Sequence, residues 1–145
     1  MNLLFKFLVF YFAMSLVNAI ATENFSAKAK NLFEQKKYDE SKFLFQRNIV
    51  FNPKDAESYL YLAKIYNFEE NEREEIKYLK TALLLQPDNE EAMYMLIDIE
   101  LKKSNFSEVK KLTKNFKIIC SNLCDKTSRI NERLKNIEVK VESKQ

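Results

Sequence analysis

The sequence predicts an all-α fold assembled from repeated helix pairs, and three observations carry that expectation. The chain has no glycine and only two prolines, Pro53 and Pro87, so the tight turns of a β-rich fold, which need residues tolerant of positive φ, are poorly provided for. Apolar residues recur at spacings of three and four, the period of one helical face. The two prolines stand 34 residues apart and close two copies of one pattern.

Laying residues 22–55 over 56–89 pairs Phe25 with Tyr59, Ala29 with Ala63, Leu32 with Tyr66, Phe45 with Leu79, and Asn52-Pro53 with Gln86-Pro87. Large residues fall on large ones and small on small. Within residues 57–68, Tyr59, Leu62, Ala63 and Tyr66 make one stripe, and within 73–85, Ile76, Leu79, Ala82 and Leu83 make another. Ala63 and Ala82 let the two antiparallel helices approach closely. One such pair cannot bury its stripe alone, so about three stacked pairs are needed for a stable core. Asp88 and Asn89 supply helix-start chemistry after Pro87, and Asn105 is placed to do the same before Phe106.

The run Tyr59-x2-Leu62-Ala63-x2-Tyr66, followed by Ile76, Leu79, Ala82 and Pro87, resembles the tetratricopeptide (TPR) repeat in both spacing and residue type. It departs at Glu75, where a small residue is usual, and at Glu70, where the turn usually has glycine. The first copy keeps Phe25, Ala29, Leu32, Tyr38, Phe45 and Pro53 but has Lys28 for Leu and Asn48 for Ala. A third begins at Glu90 with Met93, Leu96, Ile97 and Phe106 in place, and lacks the closing proline. Residues 125–142 form one more amphipathic helix through Ile130, Leu134, Ile137 and Val141, suited to cap the last repeat. The resemblance thus implies a TPR-type α-solenoid of antiparallel helix pairs over residues 22–121 (22–55, 56–89 and 90–121). Residues 122–145 hold the capping helix and a basic tail.

Residues 1–21 have the layout of a secretory signal peptide: Lys6, an apolar run from Phe7 to Val17, then Asn18-Ala19-Ile20-Ala21. Export to a periplasmic or secreted location is expected, with cleavage before Thr22 or retention as a membrane anchor. Phe7 to Ala21 is shorter than the roughly 20 residues of a spanning helix, which favours cleavage. Cys120 and Cys124 lie four apart, a spacing that fits a disulfide poorly inside a regular helix. A bridge requires a break near Ser121-Asn122-Leu123, and two partly buried thiols are the alternative.

The chemistry on offer is narrow. Histidine, the usual proton carrier near neutral pH, is absent, and without glycine no phosphate-cradling loop can be built. The run Glu69, Glu70, Glu72, Glu74, Glu75 reads as a solvated turn, not a cation site. No enzyme activity, cofactor or metal is expected. A net charge of +3 is too small for nucleic acid, where several phosphates must be neutralised together. The charge is unevenly spread, with residues 102–145 carrying 12 Lys and Arg against 5 Asp and Glu, so that region could attach to an anionic membrane surface.

By resemblance to TPR domains, the first helix of each pair lines a concave groove for a peptide or partner helix. The matching residues are Ser26, Lys30, Phe33, Leu60, Tyr61, Lys64, Asn67, Tyr94, Met95 and Asp98. TPR domains that clamp a C-terminal carboxylate use two Lys, two Asn and one Arg; here Ser26, Lys30, Tyr61, Glu91 and Met95 stand instead, so the clamp is missing. The expected function is a non-catalytic protein-binding scaffold of the cell envelope or secreted space. The alternative is an anchored or membrane-surface accessory factor using the basic C-terminal region.

Overall fold

The computed structural model describes residues 24–142. Seven helices follow one another within them: α1 (Phe25–Glu34), α2 (Tyr38–Phe51), α3 (Ala56–Phe68), α4 (Glu72–Leu85), α5 (Glu90–Lys102), α6 (Phe106–Ile119) and α7 (Lys126–Glu142). Helices α1 and α2, α3 and α4, and α5 and α6 pack as pairs; α2 joins the first pair to α3, α4 joins the second to α5, and α7 lies on α5 and α6. The expected TPR-type solenoid of three helix pairs and a final cap is the observed architecture.

The turn inside each pair is the same object three times over. Lys36, Glu70 and Ser104, 34 residues apart, take positive φ of 61°, 56° and 55°. Each is the left-handed residue of a Schellman motif, the double hydrogen bond that closes a helix C-terminus. Lys36 N–H donates to Phe33 and Lys37 N–H to Leu32; Glu70 to Asn67 and Asn71 to Tyr66; Ser104 to Leu101 and Asn105 to Glu100. Glycine would take this conformation without strain, whereas a Cβ crowds the backbone.

Between pairs the chain turns at Asn52-Pro53 and Gln86-Pro87, where proline has no N–H to extend α2 or α4. Asparagine begins three of the helices: the side-chain oxygens of Asn24, Asn71 and Asn89 accept from the N–H of Ala27, Glu74 and Ala92 at 3.0, 3.3 and 2.9 Å. Asn105 departs from its expected role. It precedes α6 without capping it, because its amide donates instead to Glu100, a buried carboxylate that would otherwise lack this partner, at 2.7 Å.

Two apolar clusters fill the solenoid. One gathers Phe25, Ala29, Leu44, Phe45, Leu62 and Ile65 around the first pair and α3. The other runs from Ala63, Leu79 and Ala82 through Ala92, Leu96, Ile97, Val109, Leu112 and Phe116 to Ile130 and Leu134 of α7. Ala29, Ala63, Ala82 and Ala92 are fully buried, which is how small side chains set the close approach of neighbouring helices.

Packing explains the departures from the repeat pattern. Leu62 is buried against the first pair, but Lys28, its counterpart one repeat earlier, lies on the outer face of α1, bordering a cavity of about 430 Å³ with Leu32, Asp39, Glu40, Phe43 and Leu44. Asn48, in the place of alanine, donates to Asp55 and Ser58 at 2.6 and 2.9 Å, and Ser58 donates to Asp55 at 2.6 Å. This triad satisfies polar groups that would be costly to bury alone. Glu75 is buried too; burial pushes its carboxyl up from the usual range, against the hydrogen bond it accepts from Asn67 at 3.1 Å.

After α6 the helix breaks. Cys120 is extended (φ −63°, ψ 137°), residues 121–125 bend, and Cys120 and Cys124 are joined in a disulfide with their Cα atoms 5.2 Å apart. Such a separation is within the range a bridge demands and is reached only because the helix has ended.

Candidate functional site

Helices α1, α3 and α5 carry the residues expected to line a groove. From α1 come Ser26, Lys30 and Phe33, all half-buried; from α3, half-buried Tyr61 and Lys64 and exposed Asn67; from α5, half-buried Tyr94, Met95 and Asp98. Leu60 differs from these neighbours. It is 6% exposed and belongs to the second core cluster, so it lies beneath the surface the others form.

The lysines of this face are already engaged. Lys30 Nζ lies 2.5 Å from Glu57, and Lys64 Nζ lies 2.8 Å from Glu91. Both pairs link one repeat to the next at a separation of 27 residues, as does Lys42 with Glu69 at 2.5 Å. At the C-terminal end the sign reverses: Asp98 is bonded to Arg133 of the cap and to Lys102 at 2.9 Å. Burial pushes the Asp98 carboxyl up, but its hydrogen bonds from Lys102 and Arg133 outweigh this and leave it below the usual range. Partly exposed pairs of this kind stabilise by only ~0.2–1 kcal/mol each. Their larger consequence is electrostatic, since a ligand carboxylate would have to displace Glu57 or Glu91 to reach either lysine.

Tyr61 touches several of these side chains. Its ring stacks on Phe45 at 4.9 Å, meets Phe33 edge-on at 5.1 Å, and has Lys64 over it at 4.7 Å and Lys30 at 5.9 Å. Desolvation raises its hydroxyl pKa, so it stays a neutral hydrogen-bonding group on an apolar ring. Beside it Phe68, 57% exposed, stacks on Tyr38 at 4.6 Å and approaches Phe33 at 6.0 Å. Tyr38 and Phe68 extend the aromatic surface past the residues picked out by repeat position. Their stack had no signal in the sequence, because it joins the first residue of α2 to the last residue of α3 in the next repeat.

Of the acidic run only Glu69 and Glu70 lie in the turn after α3; Glu72, Glu74 and Glu75 open α4, where Glu75 is buried, Glu74 pairs with Lys77 and Glu72 with Lys103, while Glu69 pairs with Lys42. Among the described residues, no group of three or more His, Cys, Asp or Glu is arranged to hold a metal ion. No helix among them is long and apolar enough to cross a membrane.

Glu90, at the start of α5, reaches across to the bend after α6. Its carboxylate accepts from the Ser121 hydroxyl at 2.6 Å and from the backbone N–H of Ser121, Asn122 and Leu123 at 2.9, 3.1 and 2.7 Å. The Ser121 hydroxyl and these three N–H groups hold its pKa at about 2. A depressed carboxyl stabilises the fold above its unfolded value, so this clasp is complete above pH 4.5 and is lost as pH falls through 2.

No family model and no curated protein matches the chain. Solved structures do. The type III secretion translocator chaperone SycD of Yersinia enterocolitica superimposes with a TM-score of 0.72 at 17% identity, over 89% of this chain and 93% of SycD. The fold is that of a TPR-type solenoid of helix pairs. SycD in complex with a peptide of the translocator YopD gives 0.70 at 16% identity, over 86% and 97% of the two chains. The first TPR of Spaghetti (RPAP3), bound to the HSP90 peptide SRMEEVD, gives 0.68 at 16% identity, over 79% and 93%.

The comparison corrects the expected location. SycD and the related TPR-type secretion chaperones are cytoplasmic, so the periplasmic, secreted or membrane-anchored assignment drawn from residues 1–21 is withdrawn, and with it the envelope role. Those residues lie outside the described part of the chain. The physical reason is that a short apolar run beside one lysine and small residues fixes hydrophobicity and length alone, and these are compositional cues.

Proposed function

We propose that the chain is a non-catalytic protein-binding module whose concave face holds an extended peptide or a partner helix. One observation carries the reading: Phe33, Tyr61, Tyr94 and Met95 on α1, α3 and α5 are all half-exposed, with Phe33 and Tyr61 in ring contact, and Lys30 and Lys64 on the same helices are neutralised by glutamates of the following repeat. Rigid aromatic rings and an adaptable methionine suit apolar side chains of a partner. The paired lysines disfavour a ligand that binds by a terminal carboxylate. SycD and the RPAP3 domain, of the same architecture, are each in complex with a peptide, which supports a peptide-binding role.

The reading is tested by selecting binders from a library of short random peptides and measuring the best by calorimetry. The double change Tyr94→Ala with Met95→Ala is expected to weaken binding about tenfold or more, as loss of central anchors does. Leu84→Ala, at an 80% exposed position of α4, is expected to leave it unchanged. Equal loss from both, or no selectable peptide, would count against the groove.

A further inference from the structure

We propose that the Cys120–Cys124 disulfide is a redox latch on the C-terminal cap: closed, it braces the bend that clasps Glu90 and seats α7; reduced by a dithiol, it lets α7 loosen from α5 and α6 as a unit.

Placement and covalent closure together suggest this role. The ring spans residues 120–124, five of the six residues that link α6 to α7. Three consecutive N–H groups inside it, of Ser121, Asn122 and Leu123, converge on the single carboxylate of Glu90. Such a backbone nest forms only when successive residues are held folded back on themselves, and the ring imposes that shape. Without it these residues regain their conformational freedom, and the clasp must be formed against that entropy.

Little else fixes the cap. Two α7 side chains, Ile130 and Leu134, are buried in the core cluster, Ile137 is half-buried beside it, and Arg133 holds the half-buried Asp98. Helices α2 to α6, by contrast, are bound to one another by fully buried Phe45, Leu62, Ile65, Leu79, Ile97 and Val109. The cap is therefore the element whose local opening needs the least disruption. Opening takes Ile130 and Leu134 out of the cluster that holds Leu96, Leu112 and Phe116, and it separates Arg133 from Asp98 at the end of the concave face.

The chemistry is open to a reductant. Cys124 is exposed while Cys120 is half-buried, so a thiolate can attack the Cys124 sulfur and expel Cys120 as thiolate. The second thiol of the reductant then closes its own disulfide and frees Cys124. Two electrons and two protons pass from the dithiol to the two cysteines, and one disulfide is exchanged for another.

Hydrogen exchange of the full chain, read by mass spectrometry, tests the latch. Oxidised protein is compared with protein reduced by dithiothreitol and alkylated. Exchange across residues 121–142 is expected to accelerate on the order of 10- to 30-fold, the scale of opening so short a ring, with α1 to α4 unchanged. Cys120→Ser with Cys124→Ser should show the reduced pattern and no response to dithiothreitol. In the oxidised chain Glu90→Gln should accelerate exchange at residues 121–123 first. Unchanged protection of α7 on reduction overturns the proposal. Simultaneous loss through every helix overturns it equally, by making the cap part of one cooperative unit.

Discussion

Phe45→Ala is expected to lower the unfolding free energy by about 3–5 kcal/mol, the usual loss for a buried phenylalanine cut back to alanine. Phe45 is fully buried among Phe25, Ala29, Leu44, Leu62 and Ile65, where the first helix pair meets α3. The pair and α3 are rigid helices, so the space cannot collapse without moving one of them. A domain of this size has only ~5–15 kcal/mol in all, so the variant sits near the threshold of folding and urea denaturation will show it directly. The loss reaches the concave face as well, because the Phe45 ring is the platform on which Tyr61 stacks. Phe45→Leu, which refills most of the volume, should recover much of the stability while leaving Tyr61 less firmly placed.

Stability should move the other way at the three intra-pair turns. Lys36, Glu70 and Ser104 hold left-handed backbone with a Cβ, a conformation that costs a non-glycine residue roughly 1–2 kcal/mol. Part of that gain returns as the greater freedom of glycine in the unfolded chain, so each change to glycine is expected to stabilise by about 0.5–1 kcal/mol. The sites lie one repeat apart and share no partner, so their effects should add. The triple variant Lys36→Gly, Glu70→Gly, Ser104→Gly should therefore gain ~1.5–3 kcal/mol in chemical denaturation. Loss of stability would show that these side chains make contacts that outweigh the strain of their backbone.

These turns also mark how far the sequence could be read. Periodicity exposed the helix pairs, because burial on one face forces apolar residues into register at Tyr59, Leu62, Ala63 and Tyr66 and again at Ile76, Leu79 and Ala82. Lys28, Asn48 and Glu75 stood out as departures, yet their reasons lie in neighbours brought close only by folding: an outer face beside Lys28, Asp55 and Ser58 beside Asn48, and Asn67 beside Glu75.

The site was less legible than the fold. Repeat position singled out α1, α3 and α5 as the candidate groove helices, but did not reveal that Leu60 sinks into the core or that Glu57 and Glu91 occupy the lysines. Those depend on how one repeat is rotated on the next. The cysteine spacing required a broken helix for a bridge, and the structure has both. Glu90 could not be anticipated as the carboxylate that fills the bend, since it lies more than thirty residues away in sequence and meets the bend only through the stacking of α5 on α6.

Site-specific photo-crosslinking in the cells that make the protein tests the peptide-binding role most directly. A benzophenone side chain would replace Tyr94 of the proposed groove or Leu84, exposed on α4. A discrete polypeptide adduct from position 94 and none from position 84 is the predicted result; equal adducts from both positions, or none from position 94, would contradict it.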